Sequence, residues 1–318
     1  MLREMERTQC KLKEDLGPLV LSALADEEIF EIMLNPDGKL FVEGFKGKKH
    51  YGEMSAGAAK NLINTVSSVA ERITNSKSPS FGGELWVEFK GEFKLYRFQA
   101  FIPPVVKYPA FIIRKPAGQS IPLEEFLADG IITKEQEEKI KEAVENKKSI
   151  LVAGGTQSGK TTLANAILDY LARVCPGDRI ITVEDTLELR CLVQDCVSLQ
   201  TAPEKSMNDL IFDAMRSRPD RIIIGEVRGK EAHSLIKAWN TGHPGGLSTI
   251  HANSAESSLR RLEQLIMEAN VEPVPESIVE AVNLVIYIQK TNKGKKGRQV
   301  TEIIELKGYS KEKGYIYE

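Results

Sequence analysis

The segment GGTQSGKTT, from Gly154 to Thr162, concentrates residues able to handle phosphate. The spacing Gly154-x4-Gly159-Lys160-Thr161 is that of a loop wrapped around a phosphate chain. Its glycines let backbone N–H groups turn toward the β- and γ-phosphates, and the start of a following helix adds a favourable dipole. Lys160 brings a point charge, and the Thr161 hydroxyl can ligate Mg2+. The expected ligands are ATP and Mg2+. The expected contacts are Gly154, Gly155, Thr156, Gln157, Ser158, Gly159, Lys160, Thr161 and Thr162. Gln157 is longer than such a turn usually carries, and the loop sequence leaves open whether it points to solvent or to a neighbour.

Attack of water on a bound phosphate needs the metal's shell held and a carboxylate to orient or deprotonate the water. The stretch RPDRIIIGEVRG, residues 218–229, should supply an aspartate after its isoleucines, yet it offers Gly225 and then Glu226. A second strand-like run, ITVEDTLEL, ends in Glu184 and Asp185. Ligands of open parallel sheets bind at the carboxyl ends of strands, so both runs point their acids at the phosphates. The metal-holding and water-orienting tasks are thus shared among Glu184, Asp185 and Glu226, with Thr161, Glu226 and Glu184 the candidate metal ligands. Which acid does which remains open at this level. GHPGGLSTIHANSA brings Thr249 and His251 to another strand end, where an imidazole can hydrogen-bond a γ-phosphate and register its loss. The strand carrying Glu226 is expected beside the one that leads into the phosphate loop.

These groups work only if strands and helices deliver them. Leu16, Leu19, Val20, Ala23 and Leu24 recur at helical spacing in the first 25 residues, so an amphipathic helix is expected there. IFEIMLNPDGKLFVE reads as a hairpin around Asn35-Pro36-Asp37-Gly38, and a helix follows from Ser55 to Ile73. ELWVEFKGEFKLYRFQAFIPP reads as strands broken at Gly91 and stopped by Pro103-Pro104. RKPAGQSIPLEE separates this α+β module, residues 1–117, from residues 118–318. Beyond it a charged helix at about 133–147 precedes the strand SILVAGG; helices then alternate with RIITVE, RIIIGE and GGLSTIHA. Such alternation predicts an α/β domain with a mostly parallel sheet of the RecA-like type. KTNKGKKGR, 290–298, is a basic loop between two late strands.

Composition narrows the functional classes. The chain has 318 residues, enough for two domains, and 43 Lys and Arg against 45 Asp and Glu leave a formal charge of −2. That balance gives no strong electrostatic footprint for direct nucleic-acid binding. No run approaches the roughly 18 apolar residues of a membrane span, and MLREMERTQCKLKEDLG lacks a signal peptide's apolar stretch, so a cytoplasmic protein is expected. Cys10, Cys175, Cys191 and Cys196 form no Cys-x-x-Cys pair and are read as reduced thiols.

The ordered motifs GGTQSGKTT, ITVEDTLEL, RSRPDRIIIGEVRGKEA and GHPGGLSTIHANSA together resemble the secretion or traffic ATPase family, most closely its type IV secretion and conjugal-transfer branch. In that family Gly-Glu is the usual form of the second acidic motif, and VEDT is its compensating acidic box. The resemblance implies a homo-hexameric ATP-hydrolysing ring, peripheral to the cytoplasmic face of the inner membrane and joined to membrane-associated secretion or conjugation channel proteins. It also implies γ-phosphate-sensing arginines from the first domain. Arg97 in LYRFQAF and Arg114 in FIIRKP match those positions, and Arg216, Arg218 and Arg228 are candidates for a finger across the ring. Two alternatives stay open: a type IV pilus or type II secretion motor, and a RecA-like DNA remodeller. Pilus and type II motors usually carry a four-cysteine metal module, which this sequence lacks.

Overall fold

Turn chemistry and alternating apolar residues decide where the first strands form. The computed structural model describes residues 2–44, 47–70, 74–89, 91–115, 121–291 and 297–318. The chain divides into two compact units, Met1–Gly118 and Gln119–Glu318. The boundary expected at residue 117, the last residues of the helix expected to reach Ile73, and the middle of the basic loop, 292–296, lie outside the described residues.

In the first unit α1 (Leu2–Ala25) leads to β1 (Ile29–Leu34), β2 (Lys39–Gly44) and β3 (Gly47–Glu53), and α2 (Ala56–Val69) precedes β4 (Ser80–Phe89), β5 (Glu92–Phe101) and β6 (Ala110–Arg114). Asn35-Pro36-Asp37-Gly38 makes the expected turn between β1 and β2, with the Gly38 N–H donating to Asn35 O at 3.0 Å. Ser55 caps α2, its hydroxyl accepting from the Ala58 N–H at 3.2 Å. The six strands form one sheet in the order β3-β2-β1-β6-β5-β4. Leu12, Leu16, Val20, Leu62 and Val66 of the helices pack on Ile32, Leu85, Phe98 and Ile113 of the strands. α1 bends at Gly17, which sits at φ 68° and ψ 169°. Pro18 follows, has no N–H to donate, and disfavours helical backbone in the residue before it. Just past the bend Leu19, expected on the buried face, is 39% exposed.

The second unit opens with α3 (Leu123–Ala128) and α4 (Lys134–Glu145). It continues through β7 (Ile150–Gly154), α5 (Lys160–Val174), β8 (Ile180–Glu184), β9 (Cys196–Gln200), α6 (Met207–Met215), β10 (Arg221–Val227), α7 (Glu231–Asn240) and β11 (Leu247–His251). It closes with α8 (Ala255–Met267), α9 (Pro275–Ala281), β12 (Leu284–Lys290), β13 (Arg298–Ser310) and β14 (Gly314–Tyr317). Thr133 and Ser206 start α4 and α6 with reciprocal capping boxes to Gln136 and Asp209. The eight strands run in the order β14-β13-β12-β7-β11-β10-β8-β9. Every pairing from β12 to β9 is parallel, and β13 and β14 add antiparallel strands at one edge. Leu151, Ala153, Ile222 and Ile224 face one core and Ile150, Val152, Ile180 and Ile223 the other. Burial on both faces is why these strands read as unbroken apolar runs.

One expectation is corrected here. β10 is not beside the phosphate-loop strand: β11 lies between β7 and β10. Strand neighbours in a parallel sheet depend on where each crossover helix lands, and local sequence does not encode that. Arg221, 1% exposed, anchors the start of β10 by donating to Asp178 Oδ2 at 2.7 Å and to Val144 O at 3.0 Å. All four cysteines are free thiols. Among the described residues no helix is long and apolar enough to cross a membrane.

Candidate nucleotide site

β7 ends at Gly154, where the chain leaves no room for a side chain. A Cβ there would lie 2.3 Å from Ile288 O and 2.5 Å from Ser158 Oγ. The loop turns through Gln157 at φ 57° and Gly159 at φ 103° before Lys160 begins α5. Ser158 is buried, Gly155, Thr161 and Thr162 are half-buried, and Thr156 is exposed. Lys160 Nζ lies across the loop and donates to the carbonyls of Gly154 at 3.1 Å and Gly155 at 2.9 Å. Gln157 points to a neighbour: Lys290 Nζ donates to its Oε1 at 2.9 Å.

The interposed strand β11 brings His251 level with Gly154. Its Nδ1 is 3.3 Å from Lys160 Nζ, and its Nε2 is 2.8 Å from Glu226 Oε1. Nε2 also stands 3.5 Å from Lys160 Nζ, and its approach to Glu226 Oε1 is an ion-pair contact rather than an aligned hydrogen bond. Glu226 stands at an irregularity: Ile224 pairs with Ser248 and Val227 with Ile250, one more residue on β10 than on β11. Such a bulge re-aims the side chains it carries. Thr249 Oγ1 fastens it by donating to Gly225 O at 2.8 Å. Arg228 donates from Nε to Glu226 Oε2 at 2.8 Å and holds its Nη1 3.9 Å from Asp185 Oδ2. Burial opposes the Arg228 charge, but Glu226, Asp185 and Glu188 outweigh it and raise the pKa above the ordinary arginine value.

The absent aspartate has a steric reason. A Cβ on Gly225 would lie 2.8 Å from Glu184 Cγ and 3.0 Å from its Oε1. The neighbouring strand's carboxylate already fills the space an aspartate would need. Glu184 is 3% exposed, and its Oε1 accepts the backbone N–H groups of Glu188 and Leu189 at 2.9 and 3.0 Å. It therefore also holds the loop that follows it. Asp185 is exposed and accepts from Thr201 Oγ1 at 3.1 Å. Replacing Gly225 with aspartate is expected to displace Glu184 from those two N–H groups. A stability loss of about 2 kcal/mol is expected, the scale of overpacking a filled site. Urea denaturation of the variant measures it; an unchanged midpoint would contradict the steric account.

Lys160, His251, Glu226, Arg228 and Asp185 thus form one connected chain of contacts across the ends of β7, β11, β10 and β8, with Glu184 packed behind Gly225. Arg228, read as a finger across a ring, is engaged with the acids of its own chain. Arg216 caps α6 and Arg218, at φ 54°, sits in the turn after it; both are exposed. Arg97 and Arg114 belong to the first unit, where they are register partners on β5 and β6, flanked in the same row by Glu84 and Glu31. Sequence reasoning missed Asn165. It is 2% exposed on α5, donates to Glu188 O at 3.0 Å and accepts from the Arg190 N–H at 2.8 Å. Its only sequence signal is a polar residue amid the apolar positions of that helix. Thr161, Glu226 and Glu184 carry the hard oxygen donors Mg2+ takes. Among the described residues no three His, Cys, Asp or Glu side chains gather as a metal site.

Residues 53–310 match the family model described as type II/IV secretion system protein. The chain belongs to this family of secretion ATPases. The secretion ATPase is 43% identical over 303 residues to the probable conjugal transfer protein TrbB of Sinorhizobium fredii, covering 95% of this chain and 91% of the relative. It is also 43% identical over 309 residues to the conjugal transfer protein TrbB of Rhizobium radiobacter, covering 97% and 93%. Among solved structures its fold is similar to the Legionella pneumophila ATPase DotB, with a TM-score of 0.65 at 18% identity, covering 87% of this chain and 77% of that one.

Proposed function

We propose that this secretion ATPase is a homo-hexameric motor that hydrolyses ATP, with Mg2+, to work a type IV secretion or conjugative transfer channel from the cytoplasmic face of the inner membrane. The observation that carries the reading is the Lys160–His251–Glu226 chain at the phosphate loop, a cation, an imidazole and a carboxylate in contact across three adjacent elements. Resemblance over most of the length to two conjugal transfer proteins supports the choice of channel.

In this reading the loop residues 154–162 hold the phosphates and Lys160 neutralises their charge. Thr161 with Glu226 and Glu184 would hold Mg2+, the ion that supplies charge neutralisation at the phosphoryl oxygens. Glu226 orients the attacking water, and Asp185 keeps Arg228 in place. His251 reports the γ-phosphate, because an anion beside Lys160 competes for the same N–H donors that now serve Gly154, Gly155 and the imidazole. Arg97 and Arg114 are the proposed sensors contributed by the first unit, with Arg216 and Arg218 the remaining finger candidates.

The test is ATPase activity per subunit against protein concentration, with Lys160→Ala as the blank. Activity per subunit is expected to rise and then level off as assembly completes the sites. A Lys160-independent rate would overturn the site. A flat rate in a protein that sizes as a monomer with nucleotide would overturn the ring.

A further inference from the structure

Glu184 and Asp185 at the end of β8, Glu226 on β10 and His251 on β11 all lie on one side of β7. The other side of β7 is taken by the β12–β13 hairpin, and that hairpin is built into the phosphate loop. Tyr287 pairs with Ala153, and Ile288 O closes on Gly154. Lys290, the last residue of β12, donates to Gln157 Oε1 at 2.9 Å. Arg298, its register partner and the first residue of β13, lays its stem along the loop: a Cβ on Gly159 would lie 3.1 Å from Arg298 Cδ and 3.6 Å from its Nε. Two cations opposite each other on neighbouring strands repel.

The geometry points to Arg298 as a nucleotide-binding residue that holds the α-phosphate and sugar end of the ligand, with Lys290 positioning the loop through Gln157. The inference rests on the ATP reading above. A triphosphate laid along the loop with its γ end toward the acids of β8, β10 and β11 must leave its nucleoside end toward β12 and β13. Arg298 is the side chain that meets it there, half-buried and within van der Waals reach of Gly159. Gln157, left-handed at φ 57°, keeps its conformation because the Lys290 ammonium fixes its amide. These two residues act on binding, because they stand on the far side of the loop from the groups assigned to water attack.

The experiment is calorimetric titration of the full chain with MgADP, joined to steady-state ATP hydrolysis, on wild type, Arg298→Ala, Arg298→Lys, Lys290→Ala, Gln157→Ala and the Lys290→Ala/Gln157→Ala double variant. Arg298→Ala is expected to weaken MgADP by about tenfold or more, the scale of one charge-assisted hydrogen bond. It should raise KM for ATP to match and leave kcat within about twofold, with Arg298→Lys in between. Lys290→Ala and Gln157→Ala should each weaken MgADP by about threefold, and the double variant no further, because both remove one shared contact. Arg298→Ala binding MgADP within about twofold of wild type would overturn the assignment, as would a lower kcat at unchanged KM. A folded wild type that binds neither MgADP nor MgATP would instead overturn the nucleotide reading beneath it. Additive losses at 157 and 290 would overturn the clamp alone.

Discussion

Lys160→Ala abolishes ATP hydrolysis, with a loss of at least about 10²- to 10³-fold, the cost of removing one preorganised donor from a site of developing charge. The expectation follows from where the ammonium stands. It already bridges Gly154 O, Gly155 O and His251 Nδ1, so its loss removes the phosphate counter-charge and also unties the loop from the imidazole. The fold should survive, because β7 and α5 are held by Leu151, Val152, Leu163 and Ile167 in the two cores and not by this side chain. Circular dichroism alongside the rate separates the two effects. A folded variant that hydrolyses ATP within tenfold of wild type would remove the site from the phosphate loop.

Glu226→Gln is the second large effect: hydrolysis slowed by at least about 10²-fold, with ATP retained, the scale of a positioned acid–base group. The amide keeps the side chain's shape, so the bulge and its Thr249 tie should persist. It loses the charge that holds Arg228 and polarises water. Single-turnover hydrolysis with measurement of bound ATP reads both parts. Glu184→Gln offers the contrast, because Glu184 gives one oxygen to two backbone N–H groups. Its first expected effect is a destabilised loop after β8. A near-wild-type rate in Glu226→Gln with a collapse in Glu184→Gln would transfer the water-orienting role to Glu184.

The sequence by itself determined the parts whose information is local. Gly-x4-Gly-Lys-Thr specifies a backbone path, the isoleucines of β10 and the apolar run of β7 specify strands buried on both faces, and Ser55, Thr133 and Ser206 mark helix starts through their own hydroxyls. β3 was illegible because it is an edge strand: GKKHYGE is largely exposed and carries no apolar alternation, and β9, at the other sheet's edge, is only five residues long. Only the tertiary structure decided which strand stands beside which. The crossover that puts β11 between β7 and β10 makes His251 the link between Lys160 and Glu226. The overlap at Gly225 and the Lys290 contact to Gln157, 133 residues away in the chain, arise in the same way. Residue types declare what chemistry is possible. Contacts between segments far apart in sequence settle which atoms meet, because side-chain packing and strand order are properties of the assembled sheet and not of any one segment.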